Sequence, residues 1–279
     1  RSGPRLDELR LALTGMLDFG MSPLSLLPPA RRAPLGRGPW ARFREVRARA
    51  DELIYSEIRE RRDQTDEGGS EIINSLVAAR HEDGSPMSDV EIHDELMTLL
   101  VAGHETTATQ LAWTLERLTR DPEVLSRLVE AVDEGDGDPY MTAVIRESLR
   151  LRPVLLNAAP RTVKKPIEVG GVFYEPRVHL LPSAWLVQHD PDIYPEPYAF
   201  RPERFLEKDP GTYTWIPFGG GRRRCVGASF AQMEMAIVLR ELLRICEVSA
   251  GIDGPEAAVR RAITVTPAKG GETVLATRP

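Results

Sequence analysis

The stretch PFGGGRRRCVGASFAQMEM, residues 217–235, restricts the fold more than any other part of the chain. Three glycines, three arginines, a cysteine and another glycine run directly into a helical pattern. Glycine runs cost backbone entropy, and adjacent like charges repel, so the segment needs a compensating partner. Phe218, Gly221, Arg223, Cys225 and Gly227 stand on the pattern F-x-x-G-x-R-x-C-x-G. Background residue usage produces such a match in a chain this long on the order of once in ten thousand. A thiolate is the nucleophilic and metal-binding form of cysteine. Glycines let backbone N–H groups approach the sulfur, and the following helix directs its positive end there. The loop reads as an electropositive, preformed socket for a thiolate, with room for something flat and close.

Only two cysteines occur among the 279 residues, too few for a disulfide framework. Cys225 and Cys246 flank one helical pattern, which holds them roughly 30 Å apart at 1.5 Å per residue, far beyond disulfide reach. Both are expected to be free thiols, as suits a reducing cytoplasm, with Cys246 a small core residue. Two distant cysteines and His81, His93, His104, His179 and His189 have no spacing of a zinc site. A cysteine nucleophile would need a base, and no motif places one. The net charge of −6 argues against a nucleic-acid partner. The basic stretch from Ala30 to Asp63 carries Trp40, Phe43, Val46, Ala50, Leu53, Ile54 and Ile58 at helical spacing, with acids interleaved. That pattern is an amphipathic helix with a mixed solvated face. No apolar run approaches the roughly 18 residues that span a bilayer.

The expected fold class is mainly α with small β-sheets. Residues 1–160 read as helical and 161–279 as small sheets, the cysteine loop and its helix, within one domain over 1–279. Helices are expected over 1–19, 40–63 and the stretch EIINSLVAARHEDG, then over 88–120. Ser88 with Glu91 makes a capping box at the start of that long helix. Two further helices follow in PEVLSRLVEAVDEG and PYMTAVIRESLRL. KPIEVGGVFYEP alternates around Gly170-Gly171 like a β-hairpin, RVHLL resembles a strand, and RAITVTPAKGGETVLAT reads as a terminal hairpin.

Two other features accompany the cysteine loop. Within the long helix, Ala102-Gly103 precedes Glu105-Thr106-Thr107, a helix breaker followed by hydroxyls that can open the hydrogen-bond ladder. A glycine kept for close packing, beside threonines on a solvated face, reads equally well. Glu147 and Arg150, spaced i,i+3, share one helical face, and an ordinary surface pair is the default reading.

Together, in order and spacing, these motifs resemble the cytochrome P-450 family of haem-thiolate monooxygenases, with FRPERF at 200–205 a further match. The resemblance covers essentially the whole chain and implies the C-terminal helical portion of that fold. It implies haem b (iron protoporphyrin IX), with Cys225 as axial iron ligand and Phe218, Gly221 and Gly227 shaping the loop. Arg223 and Arg161 would pair with the propionates, where bidentate bonds are strong. Glu147, Arg150 and Arg204 would form a structural ion-pair cluster. Thr106 and Glu105 would deliver protons, and Leu99, Ala102, Gly103, Leu155, Leu156 and Asn157 would contact a lipophilic small substrate. Electrons would come from a ferredoxin- or flavodoxin-type donor, since no flavin or iron–sulfur motif is present, and Arg222 and Arg224 would lie near its docking face. A cytoplasmic monomer is expected. The family's N-terminal sheet and pocket-closing loop have no counterpart, so a truncated chain is expected. Competing readings are a haem-thiolate peroxygenase or isomerase, and a non-catalytic fragment without haem.

Overall fold

The computed structural model describes residues 3–22, 38–63, 71–135 and 138–278. Backbone proximity divides the chain into two compact units, Arg1–His104 and Glu105–Pro279.

In the first unit, α1 (Pro4–Met21) packs against α2 (Pro39–Asp63). The inward face predicted from spacing is the one buried, with Ala50, Leu53, Ile54 and Ile58 inside. Phe19, Trp40 and Phe43 form an aromatic cluster between the two helices, with centroids 4.8–5.3 Å apart. Basic residues of α2 meet acids: Arg49 pairs with Glu8 and Glu52, Arg61 with Glu57, and Arg62 with Asp89. The connector between α1 and α2, from 23 to 37, lies outside the described residues, as does 64–70. The helix expected over 71–84 is shorter, α3 (Ile72–Ala78). A turn replaces its second half: His81 N–H donates to Ser85 O at 2.9 Å, Gly84 takes φ +84°, and Arg80 bridges Pro86. Local bonding by Asp83, which accepts from Ser85 N–H at 2.9 Å, competes with the helix ladder there.

The long helix α4 (Asp89–Leu118) begins at the expected capping box. Ser88 N–H donates to Glu91 Oε2 at 2.7 Å, and Glu91 N–H to Ser88 Oγ at 3.2 Å. It runs unbroken through Gly103 and the threonines. A Cβ at Gly103 would meet no described atom within 4 Å.

In the second unit, the end of α4 joins α5 (Pro122–Glu134), α6 (Asp138–Leu151) and α9 (Ala228–Ile245) around one core. Leu118, Leu128, Met141, Ile145, Leu149, Met235, Leu239 and Leu243 fill it. Helix α5 starts at Asp121, whose side chain accepts from Val124 N–H, and stops at Gly135 in the left-handed conformation. A buried polar seam crosses this core: Gln110 Nε2 donates to Ser148 Oγ at 3.0 Å, and Thr114 Oγ1 lies 2.7 Å from the same oxygen.

Four two-stranded antiparallel sheets follow among the described residues. β1 (Arg161–Thr162) pairs with β4 (His179–Leu180). The expected hairpin forms from β2 (Ile167–Val169) and β3 (Val172–Tyr174), with Gly170 and Gly171 at φ +59° and +79°. Two short helices, α7 (Ala184–Gln188) and α8 (Arg204–Glu207), punctuate the Pro-rich segment.

The C-terminal hairpin is a correction. β7 (Thr264–Pro267) pairs with β6 (Ala258–Arg261), whereas β8 (Thr273–Thr277) pairs with β5 (Cys246–Ala250), the strand leaving α9. Between β7 and β8 the chain is pinned. Buried Glu256 accepts from Lys269 N–H and Glu272 N–H, at 2.6 and 2.8 Å. Gly271 lies against α4, where an added Cβ would come 2.6 Å from Ala112 O. Its φ of +76° already disfavours an L side chain. Gly271→Ala is therefore expected to cost more than Gly254→Ala, whose φ is +71° with nothing within 4 Å. Strain alone costs about 1–2 kcal/mol at either position, and Gly271 adds a backbone clash. Denaturant midpoints of the two variants test the ordering.

Candidate functional site

Cys225 is exposed, in the loop between a 3-10 turn at Gly221–Arg223 and α9. Its N–H donates to Phe218 O at 2.9 Å, closing the loop on itself. Of the three successive glycines, Gly219 and Gly221 have φ +69° and +63°, while Gly220 is extended at −160°. Backbone geometry thus demands glycine at the outer two positions but not at the middle one, where a Cβ would only touch the Tyr213 ring at 4.0 Å. Gly227 caps α9, and a Cβ there would lie 3.9 Å from Cys225 Sγ.

Phe218 is half-buried, edge-on to Trp215 at 6.0 Å. Trp215 in turn packs edge-on to buried Phe205 at 6.2 Å, and its Nε1–H donates to Arg146 O at 3.1 Å. The aromatic row anchors the entry to the loop on α6 and α8. Arg222, Arg223 and Arg224 are exposed, and no described carboxylate pairs with them. Among the described residues, Arg161, at the start of β1, donates only to the carbonyls of Ala159 and Pro160. Arginines beside an exposed thiol in a glycine-framed loop, with no acidic partner among the described residues, fit a ligand that brings its own carboxylates.

Glu147, Arg150 and Arg204 come together in the interior. The Glu147 and Arg150 side chains are both 0% exposed and that of Arg204 8%. Arg150 forks onto Glu147 at 2.7 and 2.9 Å, and Arg204 Nε reaches the same carboxylate at 3.1 Å. Arg201 N–H adds a fourth donor at 2.9 Å. The remaining Arg150 protons go to the carbonyls of Gln188, Pro197 and Ala199. The default reading of Glu147 and Arg150 as a surface pair therefore fails, because the Pro-rich segment folds over them.

Glu105 and Thr106 sit part-buried on α4, with Glu105 Oε1 3.3 Å from Arg261 on β6. Leu99 is half-buried, and Ala102 and Gly103 are exposed on the same helix. After α6, Leu155 is half-buried and Asn157 exposed, bridged to Ser183. Leu156 is separated from these two. It lines an apolar cavity of about 210 Å3 with Trp113, Arg152, Pro153, Trp185, Ala258 and Val265, where neither Leu155 nor Asn157 is among the walls. Among the described residues, no cluster of three or more His, Cys, Asp or Glu side chains could hold a metal ion.

Gln188 and His189 were not legible as site residues. Both are buried beside the ion-pair cluster. His189 stacks on Trp185 at 3.7 Å, and its Nδ1–H donates to Trp185 O. Burial holds its pKa below the ordinary 6.5, and the charges of Arg150 and Arg152 add to this. The unfolded chain therefore binds more protons than the folded one as pH falls through 6.5. His189 should add stability above that pH and lose it on acidification, and His189→Gln should flatten the fall. Urea midpoints between pH 7 and 5 measure it.

An exposed thiol in a glycine-framed, arginine-bearing loop thus stands on a mainly helical scaffold. The family model for cytochrome P450 matches residues 4–273. Cytochrome P450 135B1 of Mycobacterium tuberculosis is 41% identical over 98% of this chain and 59% of its own length. Cytochrome P450 138 of the same organism is 40% identical over 99% and 62%. Among solved structures, the cytochrome P450DA haem domain aligns with a TM-score of 0.82 and 25% identity, covering 98% of this chain and 61% of that one. The chain belongs to the cytochrome P450 family, a family of haem proteins whose cofactor is haem b. It spans about three-fifths of the length of the curated relatives it matches.

Proposed function

We propose that this chain carries the haem-thiolate half of a monooxygenase, which inserts one oxygen atom from O2 into a lipophilic small molecule. Two electrons per turnover would come from a separate ferredoxin- or flavodoxin-type donor. The observation that carries the reading is the loop at Cys225: an exposed thiol, two glycines at positive φ, and arginines with no acidic partner among the described residues. When bound, haem supplies oxygen activation at an iron whose thiolate ligand favours O–O cleavage. In this reading Cys225 would hold the iron through Sγ, with the loop kept closed by the Cys225 N–H bond to Phe218 O. Arg223 and Arg161 would bind the two propionates.

The proton chemistry falls to α4. Thr106 would hold a proton at its hydroxyl, and Glu105 would resupply that proton from solvent. Glu105 is held by Arg261, which fixes where its carboxylate begins. Thr106→Ala is expected to divert about ten times more of the consumed electrons to peroxide, while haem binding stays unchanged. Product formed per electron pair measures it, and unaltered coupling would remove the relay from the reading. The apolar character of Leu99, Ala102 and Leu155 supports a lipophilic substrate class. No helix of the described residues is long and apolar enough to cross a membrane.

The first experiment is a haem titration followed by reduction under CO. A band at the position of a thiolate-ligated ferrous–CO complex is expected. Its absence would favour the second reading, a non-catalytic chain that holds no haem.

A further inference from the structure

We infer that Gln188 is the positioning residue that sets the cysteine loop against the end of α6. Its side chain is fully buried and fully bonded. Nε2 donates to Arg150 O at 2.9 Å and Leu149 O at 3.2 Å, and Oε1 accepts from Ile216 N–H at 3.0 Å. Its own carbonyl accepts from Arg150 NH1 at 2.7 Å.

The geometry makes a short mechanical chain. The last turn of α6 presents carbonyls that have no further helical donor, the usual state of a helix C-terminus. One amide takes two of them and, through its oxygen, fixes the backbone at Ile216. Two residues later Phe218 O receives the Cys225 N–H. The same helix end carries Arg150, so the ion-pair cluster and the cysteine loop share Gln188 as their link. No aliphatic side chain could do this, because it would strand Ile216 N–H and two carbonyls in the interior. A carboxylate would face the two carbonyls with no proton to donate. An amide alone among side chains of this length offers donors at one atom and an acceptor at the other. Trp215 Nε1, bonded to Arg146 O, supplies a second tether one residue earlier, so loss of Gln188 shifts the loop without freeing it.

The functional meaning rests on Cys225 being the haem ligand, but the placement does not. The test therefore reads the chain without cofactor. Backbone amide exchange is followed at Ile216 and Cys225, with Met235 and Leu239 of α9 as internal standards. In Gln188→Met, which keeps length but loses every bond, exchange at Ile216 and Cys225 should rise about tenfold or more. The α9 amides should stay near their original rates. Gln188→Asn keeps the amide but is one methylene too short to span the gap. It should give the same selective rise, and it decides the matter alone if the Met variant does not fold. An unchanged Cys225 rate in either variant overturns the proposal. So does acceleration of Cys225 and the α9 amides together, which is what general loosening would give. If Cys225→Ser leaves haem absorption unaltered, the ligand reading fails while the exchange result stands.

Discussion

Cys225→Ser is expected to abolish the thiolate-ligated spectrum. A serine hydroxyl is not ionised near neutral pH and is a poor ligand for the iron. The ferrous–CO band should leave the thiolate position, and any residual pigment should wash out on gel filtration. Because Cys225 is exposed and its loop bond comes from backbone N–H, the fold should hardly notice. Surface substitutions of this kind usually stay within about 0.5 kcal/mol. A parental denaturant midpoint with a lost spectrum separates ligand chemistry from folding. A retained, unaltered absorption maximum would end the haem-thiolate reading.

The second large effect lies in the interior. Arg150→Ala leaves the Glu147 carboxylate buried with Arg204 and one backbone N–H, and strips donors from the carbonyls of Gln188, Pro197 and Ala199. Removing one partner of a buried ion pair typically costs about 3–5 kcal/mol. That is a large share of the stability of a domain of ordinary marginal stability. Arg150→Lys should recover little, since one ammonium cannot fork onto Glu147 and reach three carbonyls as a guanidinium does. Chemical denaturation of the two variants tests this, and a loss under about 1 kcal/mol for Arg150→Ala would show the cluster to be dispensable.

The helices were readable because their signals are local. Ser88 with Glu91 acts within one turn, and the structure starts α4 there. Gly170-Gly171 dictated the β2–β3 reversal in the same way. Two expectations failed, one to local turn bonding and one to a non-local strand partner. The stretch after Ala78 has helical residues, but Asp83 and Gly84 turn it back on itself. The C-terminal residues alternate like a hairpin, yet β8 pairs with β5, because Glu256 and Gly271 tie the intervening chain down.

The amino-acid order alone carried the motif set and the helical character of the protein, because spacing along the chain records both the helical repeat and the conformations that only glycine adopts. What Glu147 and Arg150 are to each other needed the fold: an i,i+3 pair looks alike on a surface and in a core until the 195–204 segment covers it. Gln188, amid AWLVQHDP, has no sequence signal at all. Its role arises from groups 28 and 38 residues away, and hydrogen bonds between distant segments exist only once packing has brought their carbonyls and amides within about 3 Å.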